Sequence, residues 1–141
     1  MGSVVEIIKK EYRFLLDSDF VINQSNEEKG DLYSFVLLES KNGLVFCFFI
    51  EKSRLNVSVT TRKILDDAKN KMDKYFDMFY VVKLINPSIS FSEINPSIYP
   101  KIIRENLWLL LNLFDNVTIK KTIKSINEIM KEYNKVRWKS Y

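Results

Sequence analysis

An α+β domain is what this sequence predicts: an N-terminal helix, a four-stranded antiparallel meander, and three C-terminal helices packed mainly on one sheet face. Three observations point there. An Asn42-Gly43 step joins two β-rich runs, the apolar period changes from two to about 3.6 after Arg62, and only three glycines and three prolines interrupt a chain that is 46% hydrophobic. At 141 residues the chain can bury one sizeable core, so residues 1–141 are expected to form a single domain.

The first element rests on Ser3-Val4-Val5-Glu6, which has the S-x-x-E form of a capping box. Val5, Ile8, Tyr12 and Leu15 then recur at helical spacing, which predicts a helix over 4–17. Phe20-Val21-Ile22 reads as a short strand, and Ser25-Asn26-Glu27-Glu28-Lys29-Gly30 as a solvated loop.

For the meander, Asn42-Gly43 predicts a two-residue type I′ turn, because both central positions of that turn need positive φ. Leu37 then faces Phe48 and Phe35 faces Ile50. A second two-residue turn at Lys52-Ser53 pairs Ile50 with Leu55, Phe48 with Val57 and Phe46 with Val59. All eight side chains would share one helix-covered face, leaving Val36, Leu38, Val45, Cys47 and Phe49 on the other with Asn56, Ser58 and Thr60.

Leu65, Ala68, Met72, Tyr75, Phe76 and Phe79 predict a helix over 62–84. Ile85-Asn86-Pro87-Ser88 and Ile94-Asn95-Pro96-Ser97 repeat four residues and mark a connector, since proline biases the residue before it away from helix. Ser97 is then the expected cap of a helix running to Phe114, with Pro100 in its first turn. Its apolar run Leu107–Phe114 lies between Glu105 and Asp115, far short of the roughly 20 residues that span a bilayer, and reads as a buried helix. Ile119, Ile123, Ile126, Met130 and Tyr133 form the stripe of a last helix over 118–137, with Lys120, Lys124, Lys131 and Lys135 opposite.

Composition removes much familiar chemistry. Histidine is absent and cysteine occurs once, so the commonest general base, Cys/His zinc sites, His-activated nucleophiles and intrachain disulfides are excluded. Gly2, Gly30 and Gly43 are isolated, so no phosphate-cradling loop can be built. No catalytic residue, metal site or cofactor is expected, and the chain is not expected to be an enzyme. Cytoplasm is the expected compartment, because the lone cysteine demands no oxidising environment and the first residues lack a secretory signal's pattern.

Four sets of residues still carry possible chemistry. Glu39-Ser40-Lys41 matches the E-x-K fragment of metal-dependent nucleases, but the neighbouring positions hold Phe46, Phe48 and Ile50 instead of a second carboxylate, so a solvated hairpin end is expected. Asp66, Asp67, Asp73 and Asp77 are interleaved with Lys63, Lys69, Lys71 and Lys74, the pattern of a salt-bridged helix. Cys47, between Phe46 and Phe48, reads as a buried inert thiol. The basic set is the most concentrated. Residues 117–141 hold seven Lys or Arg against two Glu, a net +5, which leaves −1 for the first 116 residues of a chain at +4. With Tyr133, Trp138 and Tyr141 nearby, Lys120, Lys124, Lys131 and Lys135 form the candidate nucleic-acid-binding face, against the plainer reading of a solvated helix exterior.

Two features suggest protein recognition. Val36, Leu38 and Phe49 make a second sheet face more apolar than water favours, to be covered by a later helix or offered to a partner. Glu27, Glu28 and Asp31 form an acidic loop beside it in an otherwise basic chain.

This order of elements resembles that of small bacterial immunity proteins, the intracellular antidotes encoded beside polymorphic or contact-dependent growth inhibition toxins. The likeness rests on the amphipathic first helix, the strand at Phe20-Val21-Ile22, the hairpin series 32–38, 44–50 and 55–61, and the helices that follow; it covers the whole chain as an order of elements. It implies a non-enzymatic protein that binds one toxin domain tightly and blocks its active site or its access to a target. Antidotes to nucleases are often acidic, whereas this chain has a pI near 9.1, which turns the expectation away from a nuclease unless Glu27, Glu28 and Asp31 make the contact. The leading expectation is therefore a cytoplasmic protein-binding module of the immunity type, and the alternative is a nucleic-acid-binding protein using the basic C-terminal helix.

Overall fold

The computed structural model describes residues 3–26, 34–51, 53–67 and 74–139. It is mixed α and β, with two compact units, Met1–Asp77 and Met78–Tyr141. The first unit opens with α1 (Val4–Glu11), and the capping box forms: Ser3 Oγ accepts from Glu6 N and the Glu6 carboxylate accepts from Ser3 N, each at 3.2 Å. The predicted single helix over 4–17 is broken at Tyr12, where φ is −120°, and resumes as α2 (Arg13–Asp17). Tertiary packing explains the break. Tyr12 is fully buried with its ring edge-on to Phe48 at 4.7 Å. Asp19 then takes a left-handed φ of 68°, letting Phe20 N donate to Leu15 O and end the helix.

Among the described residues the strands β1 (Val21–Asn26), β2 (Ser34–Glu39), β3 (Leu44–Glu51), β4 (Arg54–Thr61) and β5 (Phe76–Asp77) form one antiparallel sheet in sequence order. β1 runs further than expected, since Ser25 and Asn26 pair with Val36 and Phe35 instead of looping out. The β3–β4 register is the predicted one, with Ile50 opposite Leu55, Phe48 opposite Val57 and Phe46 opposite Val59.

The β2–β3 register differs by one residue: Leu37 faces Cys47, Phe35 faces Phe49, Val36 faces Phe48 and Leu38 faces Phe46. The turn chemistry gives the reason. Gly43 alone has positive φ here (85°), and Gly43 N donates to Ser40 O (3.0 Å) while Ser40 N donates to Leu44 O (2.9 Å). That is a three-residue loop, a type I turn followed by a left-handed glycine, in place of the two-residue turn that needs positive φ at Asn42 as well. Because side chains alternate, the slip exchanges the faces of β2. Val36, Leu38, Phe46, Phe48, Val57 and Val59, all buried, share the face that meets Tyr12 and Phe20. Leu37, Val45 and Cys47 are on the other, where Leu65 of α3 (Arg62–Asp67) packs against them with Phe35, Phe49 and Tyr75 at the margin. Within this unit the sheet is covered on both sides.

The predicted helix over 62–84 is not one helix. α3 is described to Asp67, and Ala68 and Met72 of the expected stripe lie outside the described residues; Phe76 and Asp77 pair with Val59 and Ser58 as β5, and Thr60 Oγ1 donates to Lys74 O at 2.6 Å. Sheet pairing has displaced helical periodicity at Phe76 and Asp77.

The second unit begins with α4 (Met78–Ile85) and continues through single 3-10 turns at Phe91–Glu93 and Pro96–Ile98. The two Asn-Pro-Ser steps behave alike: Asn86 Oδ1 accepts from Ser88 Oγ (2.8 Å), and Asn95 Oδ1 accepts from Ser97 N (3.0 Å). Asn95 thus caps the 3-10 turn Pro96–Ile98, and the helix that follows starts from Ile98 without the side-chain cap expected from Ser97. The helix expected to run unbroken to Phe114 is two, α5 (Tyr99–Glu105) and α6 (Leu107–Leu113), parted at Asn106 with φ −123°. α7 (Ile119–Lys139) starts where Asp115 Oδ1 accepts from Val117 N (3.0 Å) and Thr118 N (2.8 Å), and where buried Thr122 donates to Leu113 O (2.6 Å). Tyr133 ties α7 to α4, its ring 4.9 Å from Phe79, 6.0 Å from Tyr80 and 5.1 Å from Phe91. Contacts of this kind contribute roughly 0.5–1.5 kcal/mol per pair beyond the area they bury.

Candidate functional site

Glu39 stands at the end of β2 under three donors. Its Oε1 accepts from Arg62 Nη2 (2.6 Å), Arg62 Nε (3.0 Å) and Asn23 Nδ2 (2.8 Å), and Arg62 also reaches Asp66 at 3.5 Å. The guanidinium pKa is raised, chiefly by its hydrogen bond to Glu39. The carboxylate that the E-x-K fragment would need for a metal is therefore engaged by a fixed cation, and Lys41 is exposed at the turn. The aspartate set does not converge either: Asp66 pairs with Arg62, Asp77 is in a strand instead of four residues along a helix, and Asp73 lies outside the described residues. Among the described residues no group of three His, Cys, Asp or Glu could hold a metal ion.

Cys47 lies on β3 against Leu37, Val45 and Leu65 at 8% exposure, and burial pushes its thiol up to about 12. A nucleophilic cysteine needs the opposite environment, one that favours thiolate.

The recognition residues named from sequence do not form one patch. Val36 and Leu38 are fully buried on the face that meets α1, while Phe49 is half-buried on the opposite face beside the Leu65 cluster. Glu27, Glu28 and Asp31 lie outside the described residues.

Exposed apolar surface is found on α6 instead. Leu110 and, just past the helix, Phe114 turn inward and are buried, whereas Trp108 is 77% exposed and Leu109 40% exposed. The run is apolar at almost every position, which on sequence alone predicts a buried helix. The signal that could have found Trp108 is length: two turns of helix present one inward line, and Leu107, Leu110, Leu111 and Phe114 already supply it.

α7 carries the basic candidates as expected. Ile126 is buried and Tyr133 half-buried, while Lys120, Lys124, Lys131 and Lys135 are all exposed. At 3.6 residues per turn these four fall within about 60° of arc and span about 22 Å of axis. The ion pairs among the described residues are Arg13–Asp17, Arg62–Glu39, Arg62–Asp66 and Lys101–Glu105, and none involves this row. Tyr141 lies outside the described residues. Beside the row, Ile129, Glu128 and Glu132 of α7 and Leu84 of α4 line an open cleft of about 330 Å³. Its one lysine, Lys83, donates to Ile89 O (2.6 Å) and sits 4.8 Å over the Phe91 ring, so it acts in packing.

Among the described residues no helix is long and apolar enough to cross a membrane. No family model, curated protein or solved structure matches the chain.

Proposed function

We propose that this chain is a non-enzymatic, cytoplasmic protein-binding module of the immunity type, which neutralises a cognate bacterial toxin domain by occupying its surface. The observation that carries the reading is Trp108, 77% exposed beside Leu109 on α6. Indole is large, rigid and poorly hydrated, and tryptophan is enriched among the few residues that dominate binding energy at protein interfaces. The pinned Glu39 and the buried Cys47 thiol fit a protein that acts by contact. The acidic residues Glu27, Glu28 and Asp31 remain sequence candidates for the same partner.

The test is calorimetric titration against the protein encoded by the adjacent gene. A tight one-to-one complex is expected. Trp108→Ala should weaken it by about 2 kcal/mol or more, roughly 30-fold, while leaving the urea midpoint of the free chain in place. Absence of a complex, or a complex indifferent to Trp108→Ala, would defeat the proposal.

A further inference from the structure

The lysine row on α7 is independent of α6, and its chemistry differs from that of a protein interface. Lys120, Lys124, Lys131 and Lys135 are exposed, within ion-pair distance of no acid among the described residues, and aligned along the side of the helix opposite buried Ile126. Asn127 and Asn134, both exposed, border the row on one side, and Glu128 borders it on the other. Lysine is depleted at protein interfaces, which use aromatic and arginine anchors. A helix that docks on a bilayer must offer apolar side chains next to its cations; here Ile126 is buried and Tyr133 half-buried, and Met130 and Val136, both exposed, lie roughly 80° or more around the helix from any of the four lysines. What remains is a straight array of donors about 22 Å long.

We propose that this face of α7 docks on the phosphate backbone of double-stranded nucleic acid. Charge complementarity carries the assignment: a duplex is a rigid rod with one negative charge per roughly 1.7 Å, and a rigid row of ammonium groups can meet several phosphates without ordering a flexible partner. Lysine and asparagine side chains are usual phosphate and sugar contacts and carry no base code of their own there, so binding is indifferent to sequence. The surrounding charge supports this, since the net +5 of residues 117–141 is set against −1 in the rest of the chain.

Fluorescence anisotropy of a labelled mixed-sequence duplex with the full chain tests the proposal. Four phosphate contacts give a slope of log K against log salt near −3.6, so affinity falls about 150-fold between 50 and 200 mM salt. In Lys124→Gln/Lys131→Gln the slope falls to about −1.8 and the same salt change costs about 12-fold. Lys9→Gln/Lys10→Gln on α1, with the same loss of net charge, leaves the slope of the parent. No saturable binding at 50 mM salt would overturn the proposal. So would a slope indifferent to the α7 substitutions, or tighter binding to the matching single strand or to vesicles of anionic lipid.

Discussion

Cys47 offers a direct measurement of how dry the α3 side of the sheet is. Its thiol is held among Leu37, Val45 and Leu65, and burial moves its pKa from 9.0 to about 12. The unfolded chain releases this proton near pH 9 while the folded chain retains it, so between pH 9 and 12 the unfolded state binds fewer protons and stability falls as pH rises. One proton of difference corresponds to about 1.4 kcal/mol per pH unit, so the loss from pH 8 to pH 10 is on the order of 1 kcal/mol. Other groups that titrate in this range do so in Cys47→Ala as well and cancel in the difference between the two chains, except for the part of the raised Tyr75 pKa that comes from Cys47 itself. Urea unfolding at pH 8 and pH 10 should therefore show the parent losing on the order of 1 kcal/mol relative to Cys47→Ala. A parallel assay uses reactivity, since at pH 8 only about one native thiol in ten thousand is ionised. A difference between the chains that does not change with pH, or rapid stoichiometric modification of the native thiol, would refute the argument.

Two further outcomes follow from the hairpin end. A Cβ at Gly43 meets Arg62 Cβ at 3.8 Å, an ordinary contact, so Gly43→Ala should cost only the backbone penalty of φ 85°, about 1–2 kcal/mol, and Gly43→Asn should cost less because asparagine tolerates that region; thermal unfolding that ranks Asn with or below Ala would contradict this. Arg62→Met should cost about 1–2 kcal/mol at low salt by leaving Glu39 with a single side-chain donor, and a double-mutant cycle with Glu39→Gln should recover most of that as coupling; zero coupling would reduce the pair to an ordinary surface contact.

Local signals were the legible ones. The capping box at Ser3 and Glu6, the β3–β4 register and the outward lysines of α7 all depend on short-range chemistry that a sequence states directly. The β2–β3 register was not legible, because Asn42-Gly43 serves two loop lengths equally well and only the paired strands choose between them. The same holds for Phe76 and Asp77, where helical spacing lost to pairing with Val59 and Ser58, contacts about eighteen residues back. Tyr12 and Asn106 broke helices whose periodicity continued through them, Tyr12 because its ring is claimed by Phe48. At the candidate surfaces, burial separated residues that hydrophobicity alone had grouped: Val36 and Leu38 became core while Trp108 emerged.

The hairpin at Ser40–Leu44 also dictates how its relatives can diverge. Substitutions at Lys41 and Asn42 change only solvated side chains, but gaining or losing one residue there would reverse the parity of β2 and send Phe35 and Leu37 to the side now held by Val36 and Leu38. Homologous chains should therefore vary freely in the identity of these loop residues and keep their number, with any length polymorphism arriving in steps of two.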